Sequence, residues 1–589
     1  MSAITASIRG VVDGSRASMA HWWRRVRATP APLIASALVV GAGAGLAAVV
    51  FRWLVQTATL IFTGTADYAA TTGHPANPWV PWLGGAFVIL APAIGGLLYG
   101  PLVHRFAREA RGHGVPEVMY AVARRGGHIP GRVAVVKALA SAITIGSGGS
   151  VGREGPIVQI GSALGSTLGR ITRMPETQLR TLVACGAAGG IAATFNAPIA
   201  GVFFALELIL RDFATRSFAA VMLSSIVASV VGRSILGDHP FLALPAFTVG
   251  RPSEYLLFAG LGLLAGAVGV LFSKVLYLVE DLCDWAWRGP EWLRPTVGGL
   301  LLGLLLFAMP QLYGVGYPVL EASVGGTYTV GFLLLLVLAK MAATSLTIGI
   351  GGSGGVFAPS LVIGAAFGAA TGEAIGLVIP GLSGDAGTFA LVGMAAVFAG
   401  ATRAPITAGI ILFELTGEYS IILPLLLAVI VATGTSRLLS RDTIYTRKLS
   451  RRGVDLTAPA LPALRGTTVS ALMSTPPPSI RGSQDAREAI VRLGESQRRA
   501  APVVGDDGSL IGVLTAADAA QALASDEATA SRTAAELSER ITVLAADEHV
   551  ADVLDQVIGA EATDGVPVAT DGRLVGWLAP ADVLRAVPS

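Results

Sequence analysis

Two short glycine-rich runs carry the residue types best suited to holding a small anion. In the first, Gly148-Gly149-Ser150-Val151-Gly152-Arg153-Glu154-Gly155-Pro156, a single carboxylate stands among glycines. In the second, Gly351-Gly352-Ser353-Gly354-Gly355-Val356-Phe357-Ala358-Pro359, Phe357 takes the matching place. Each run ends in a proline and an apolar stretch, and proline suits the first helical turn, where its missing N–H has no intrahelical partner. The remaining free N–H groups and the positive end of the helix dipole attract an anion without a fixed cation. Two such ends facing one another would hold a dehydrated anion and still release it. Glycines of this kind also serve close helix packing, but the pairing of the loops favours an anion site. Glu154 is a tethered anion beside those amides, able to occupy the site when charged and vacate it when protonated or displaced. The plainer alternative is a carboxylate that caps a helix. The Arg153 side chain reads as a structural or mouth-facing charge.

The two runs belong to a longer repeat. Thr144–Gly165 lies over Thr347–Gly368 with about half the positions identical and no gap. Lys137 falls opposite Lys340, and Gly186–Glu207 lies over Gly393–Glu414, so Ala197-Pro198-Ile199 meets Ala404-Pro405-Ile406. Two related halves follow, about 31–235 and 255–445, with Gly/Pro-interrupted helices at matching places. That is the pattern of a transport site at a repeat interface. The repeat leaves open whether the halves are parallel or inverted.

The elements that must position these loops are set by composition. Of 589 residues, 53% are hydrophobic and 14% charged, and mean hydropathy is +0.65. Soluble domains carry about 25% charged residues, so the chain reads as a polytopic membrane protein rather than a soluble enzyme, a disordered chain or a disulfide scaffold. A net charge of +3 is too mild to argue for nucleic acid. Cys185 and Cys283 make no metal or disulfide framework, and no nucleophile–base pair suggests catalysis. Residues 1–30 are basic, and Arg437, Arg441, Arg447, Lys448, Arg451 and Arg452 follow the last apolar run, so both termini are expected in the cytoplasm of a plasma or inner membrane. Ile157–Gly169 and Ala404–Leu415 are shorter than the ~20 residues a full span needs and are expected as half-helices ending inside the bilayer. A Pro-rich linker, 456–466, leads to a normally charged tail with its own repeat. Ala501–Val504, Asp507-Gly508, Leu510–Leu514 and Ala517-Asp518 recur as Val566–Val568, Asp571-Gly572, Leu574–Leu578 and Ala581-Asp582. Each copy reads as a β-hairpin followed by a helix start.

These motifs resemble the CLC family of chloride channels and chloride/proton antiporters, and the tail resembles a tandem pair of CBS modules (a Bateman pair). Gly152–Pro156 matches the GxEGP-type motif and Gly355–Pro359 the GxFxP motif, within a membrane region of 31–455. The resemblance implies an α-helical membrane protein of two inverted repeats with broken helices, a homodimer with a chloride pore in each subunit, and a cytoplasmic α/β CBS pair at 467–523 and 532–589. It makes Glu154 the gate and implies anion contacts from Gly152, Arg153, Gly155, Val356, Phe357 and the Tyr445 hydroxyl. Chloride and the lipid bilayer are the implied partners, and no cofactor is required.

Two departures stand out. The GSGIP-type motif appears as Gly112-His113-Gly114-Val115-Pro116, with His113 in the serine's place. His113 either faces the pore as an acid-sensitive donor or turns away and leaves the Gly114 region's backbone to bind. Proton-coupled members carry two adjacent glutamates where this chain has Glu207-Leu208. Leu208 carries no proton, which points to passive conduction. Glu207, about 100° away around a helix, and its mate Glu414 read as structural carboxylates. The alternatives are a chloride/proton antiporter with another internal proton route, a carrier of fluoride or nitrate, and a nucleotide sensor that has lost conduction. In the tail, Thr515 and Asp518 resemble a ribose-holding pair for an adenine nucleotide. Asp582 is its counterpart in the second copy, which lacks the threonine.

Overall fold

The structure, a computed structural model, describes residues 31–70, 73, 75–237, 252, 254–378, 386–454, 464, 467–496, 498–524, 532–539, 541–560 and 564–586. It divides into two units, Met1–Leu456 and Thr457–Ser589. The basic stretch 1–30 and most of the 456–466 linker lie outside the described residues.

Within the first unit the described helices of the two halves follow one another in matching order. The first half has α1 (Ala31–Thr63), α2 (Phe87–Phe106), α3 (Val115–Arg124), α4 (Arg132–Gly146), α5 (Glu154–Ile171), α6 (Glu176–Phe195), α7 (Pro198–Phe204) and α8 (Thr215–Leu236). The second has α9 (Glu254–Ala286), α10 (Arg294–Ala308), α11 (Tyr317–Val324), α12 (Val330–Gly349), α13 (Phe357–Val378), α14 (Ala386–Thr402), α15 (Pro405–Thr416) and α16 (Ile422–Leu439), and the short α17 (Thr446–Ser450) follows. Seven described helices are long and apolar enough to cross a membrane. In α14 all residues from Gly387 to Thr402 are buried. A helix apolar on all sides belongs in such a place, wrapped by other helices.

Glycine lets the central helices touch backbone to backbone. A Cβ on Gly364 of α13 would stand 2.5 Å from the Gly393 carbonyl of α14, and one on Gly393 would stand 2.5 Å from the Gly364 carbonyl. Gly161 and Gly186 repeat this contact between α5 and α6. The breaks are also built twice. Helix α6 stops at Asn196 (φ 56) and α14 at Arg403 (φ 56), both left-handed, and a proline then opens α7 or α15.

Two helices differ in detail from the sequence reading. The helix expected over Ile157–Gly169 runs from Glu154 to Ile171, 18 residues or about 27 Å, and is not among the seven helices long and apolar enough to cross a membrane. Gly155 and Pro156 fall in its first turn, where proline costs no hydrogen bond, so they begin the helix instead of bounding it. Glu207 and Leu208 sit in a π-helical turn, Ala205–Leu210, in place of the α-helix assumed from sequence.

The second unit builds its fold twice as well. Strand β1 (Ile480–Arg481) pairs parallel with β2 (Ala500–Val504), which pairs antiparallel with β3 (Leu510–Thr515). Strands β4 (Leu544–Ala545), β5 (Val566–Thr570) and β6 (Arg573–Leu578) repeat the order and directions. Gly508 (φ 80) and Gly572 (φ 81) turn the two hairpins.

Candidate anion site

The site forms where the loops before α5 and α13 meet. Gly152 N–H donates to the Gly355 carbonyl at 2.8 Å, and Gly355 N–H donates to the Gly152 carbonyl at 2.6 Å. These glycines are repeat mates, so this reciprocal pair places a local two-fold axis between them. Two further exchanges obey the same axis. Ser150 N–H donates to Thr347 Oγ1 at 3.1 Å and Ser353 N–H to Thr144 Oγ1 at 3.3 Å. Farther out, Glu207 accepts from the Ile406 and Thr407 amides of α15 at 3.2 and 2.8 Å, and from Thr407 Oγ1 at 2.7 Å. Glu414 accepts from the Ile199 and Ala200 amides of α7 at 3.0 and 2.6 Å. Each carboxylate thus satisfies the N-terminus of the other half's broken helix, where free amides and the helix dipole favour negative charge.

Glu154 breaks the symmetry. It is 1% exposed. Its Oε2 accepts from the Ala358 N–H of α13 at 3.4 Å, and its Oε1 accepts from the Tyr317 hydroxyl at 2.7 Å. A carboxylate of the first half therefore lies against the helix start of the second. Only glycine leaves room for it: a Cβ on Gly355 would come within 3.3 Å of Oε2, and one on Gly152 would come closer. Phe357, the mate of Glu154, packs instead against Phe398 and Phe195 with ring centroids 4.5 and 5.3 Å apart. Val356 is buried beside it.

Two buried lysines hold the surrounding loops in place. Lys137 Nζ donates to the Ala110 and Gly112 carbonyls at 3.0 and 2.7 Å, fixing the loop that carries His113 and Gly114. Its mate Lys340 donates to Ser150 Oγ at 2.8 Å and the Gly314 carbonyl at 3.1 Å. Gly112 N–H also donates to the Gly352 carbonyl at 3.1 Å, which ties the His113 loop to the second half.

Gly155 lies against the backbone of His113 and Gly114. The His113 ring is buried edge-on to Tyr277, 6.1 Å between centroids. No hydrogen-bond partner for either ring nitrogen is found among the described residues. Its charged neighbours are Lys448, Lys137 and Arg452. Tyr445 is buried and within reach of the Glu154 charge, and Tyr277 Oη donates to the adjoining Ile444 carbonyl at 2.8 Å. The Arg153 guanidinium lies 5.1 Å from the Tyr317 ring centre. It borders a cavity of about 440 Å³ that Arg52, Asp67, Tyr317 and Glu321 also line. A second cavity, about 680 Å³, is lined by Arg111, Glu117, Glu280, Lys448 and Arg452, among others. The hydrogen-bonded Glu117 carboxylate, at 2.6 Å, holds the Arg452 guanidinium above its ordinary range against the opposing effect of burial. Leu208 is buried. Thr515 and Asp518 bond to each other, Oγ1 to Oδ2 at 2.6 Å, and Asp582 accepts from the Ala579 amide at 3.1 Å.

A family model described as voltage gated chloride channel matches residues 95–437, well over half of the chain. The chain belongs to that family. CBS domains match at 469–525 and 534–589. An H+/Cl− exchange transporter ClcA of Vibrio cholerae serotype O1 (strain M66-2) is 36% identical, covering 72% of this chain and 90% of that protein. The crystal structure of a slow cyanobacterial Cl−/H+ antiporter is similar with TM-score 0.64 and 26% identity, covering 71% of this chain and 97% of the other. A CLC-type fluoride/proton antiporter matches with TM-score 0.59 and 25% identity, over 70% and 97%. The first unit is thus a multi-pass CLC membrane domain of inverted repeats, and the two-fold hydrogen-bond exchanges are its internal symmetry seen at atomic scale. The protein is a membrane anion-transport protein with a CBS pair.

Tyr317 and the loop-holding roles of Lys137 and Lys340 were not found from sequence. The signal for Tyr317 was present: Gly314-Val315-Gly316-Tyr317-Pro318 mirrors Gly112-His113-Gly114-Val115-Pro116.

Proposed function

We propose that the chain conducts chloride passively through one pore per subunit of a homodimer, with Glu154 as the gate. The observation that carries this is the Glu154 carboxylate accepting from the Ala358 amide, the place a permeating anion would take at the α13 N-terminus. Passive conduction is supported by Leu208, which carries no proton, and by Glu207, whose two oxygens are engaged with α15. A second reading, chloride/proton exchange, is favoured by the names of the Vibrio and cyanobacterial relatives. The fluoride/proton antiporter, together with His113 at the serine position, keeps fluoride or nitrate as alternative cargo. Purified protein in liposomes distinguishes these readings. Passive conduction predicts that an imposed chloride gradient moves no protons uphill, and proton pumping against a gradient establishes exchange. The basic flanks of the membrane unit support a cytoplasmic location for both termini.

The CBS pair is proposed to take one adenine nucleotide at Thr515 and Asp518. Titration of the full chain with ATP is expected to saturate and to weaken about tenfold or more in Asp518→Ala, and absence of saturable binding refutes the site.

A further inference from the structure

The second half delivers a tyrosine to the gate, and the repeat shows that it stands where the first half has an aliphatic residue. The loops before α3 and α11 share one backbone plan. Gly112 (φ 79) and Gly114 (φ 83) match Gly314 (φ 61) and Gly316 (φ 94), all left-handed, and a proline follows at the second helical position. The first residue of α3 is Val115 and that of α11 is Tyr317. From this position the phenol reaches Glu154 Oε1 at 2.7 Å, while its ring lies under the Arg153 guanidinium. Lys340 binds both partners' loops at once, Ser150 on the Glu154 side and Gly314 on the Tyr317 side, so the phenol and the carboxylate are held in register by one buried ammonium.

We propose that Tyr317 is a latch: its hydroxyl holds the Glu154 carboxylate in the position where that carboxylate fills the anion site. The proposal rests on Glu154 being the gate, and it assigns Tyr317 a positioning role in setting how readily the gate opens. An O–H donated to a carboxylate stabilises its charged, blocking form and is worth more than a neutral hydrogen bond. The titratable and charged groups facing Glu154 are Arg153 at the same helix start, Tyr317 from α11, Tyr445 ahead of α17 and Lys340 from α12. Replacing the phenol with phenyl leaves the other three in place and removes one oxygen.

The test measures chloride efflux from liposomes against pH for the full chain, Tyr317→Phe, Glu154→Gln and the double variant. Tyr317→Phe is expected to raise efflux at pH 7.5 by about tenfold, the size of one charge-assisted hydrogen bond. It should also move the half-activation pH upward while keeping the wild-type rate at acid pH, which shows that the variant is folded. In the Glu154→Gln background the same substitution should change neither rate nor pH profile. A Tyr317→Phe profile superposable on wild type overturns the latch, and so does an equal rate change with and without the carboxylate. If Glu154→Gln alone keeps the wild-type pH profile, the gate assignment itself falls. That outcome is separate from a normal Glu154→Gln effect with a silent Tyr317→Phe, which refutes only the latch.

Discussion

The loop before α5 and the loop before α13 make the same backbone bonds with exchanged partners, yet they present different side chains at their centres. Gly152 and Gly355 bond reciprocally, and Ser150 and Ser353 each reach a threonine of the opposite half. Lys137 and Lys340 each hold the loops around them. Against that shared frame, Glu154 lies on the opposing helix start while Phe357 is wedged between Phe195 and Phe398. Backbone amides at two broken helices can attract an anion from either half, but only one half supplies a competitor for the site. Symmetry therefore builds the binding site, and its violation at one pair of residues builds the gate.

The lysines offer the strongest way to break this comparison. Lys137→Met and Lys340→Met each remove two buried hydrogen bonds donated by a lysine, at about 1.5–3 kcal/mol for each bond. Both variants should lower the thermal unfolding midpoint in detergent by similar amounts. A large loss in one with none in the other would show that the halves do not share a frame. The glutamates give a smaller and sharper comparison. Glu207→Gln and Glu414→Gln each weaken one helix-start contact, for about 0.5–2 kcal/mol. Equal destabilisation with unchanged chloride flux fits paired structural carboxylates. Altered proton movement in Glu207→Gln alone would assign that residue to coupling and reverse the comparison.

Much of this frame is readable in the sequence because it is written in glycine and proline. Such residues are placed by backbone geometry, so equivalent loops keep them at equal spacing, and the repeat around Glu154 and Phe357 shows without gaps. The Tyr317 loop escapes because its glycine lies 202 positions from its mate, whereas the lysines are 203 apart, so an ungapped comparison slides past it. The lysines align readily, but their role depends on carbonyls of Ala110, Gly112 and Gly314, and carbonyls have no sequence signature. Helix α5 begins earlier than its glycine and proline suggest, since both are tolerated in a first turn. In the tail, β1 and β4 span two residues each, too short for any alternation to reveal. The orientation of His113 was also open in the sequence, and its edge-on packing against Tyr277 is a tertiary feature.

The most direct test of the account is chloride efflux from liposomes across pH 4.5–8 for the wild type and Glu154→Gln. If the carboxylate competes with the permeating anion for the α13 amides, wild-type flux rises on acidification. The glutamine variant should then run at the acid rate, about tenfold or more above wild type at neutral pH, with a flat profile. A Glu154→Gln protein that is folded and still shows the wild-type rise with acid would contradict it.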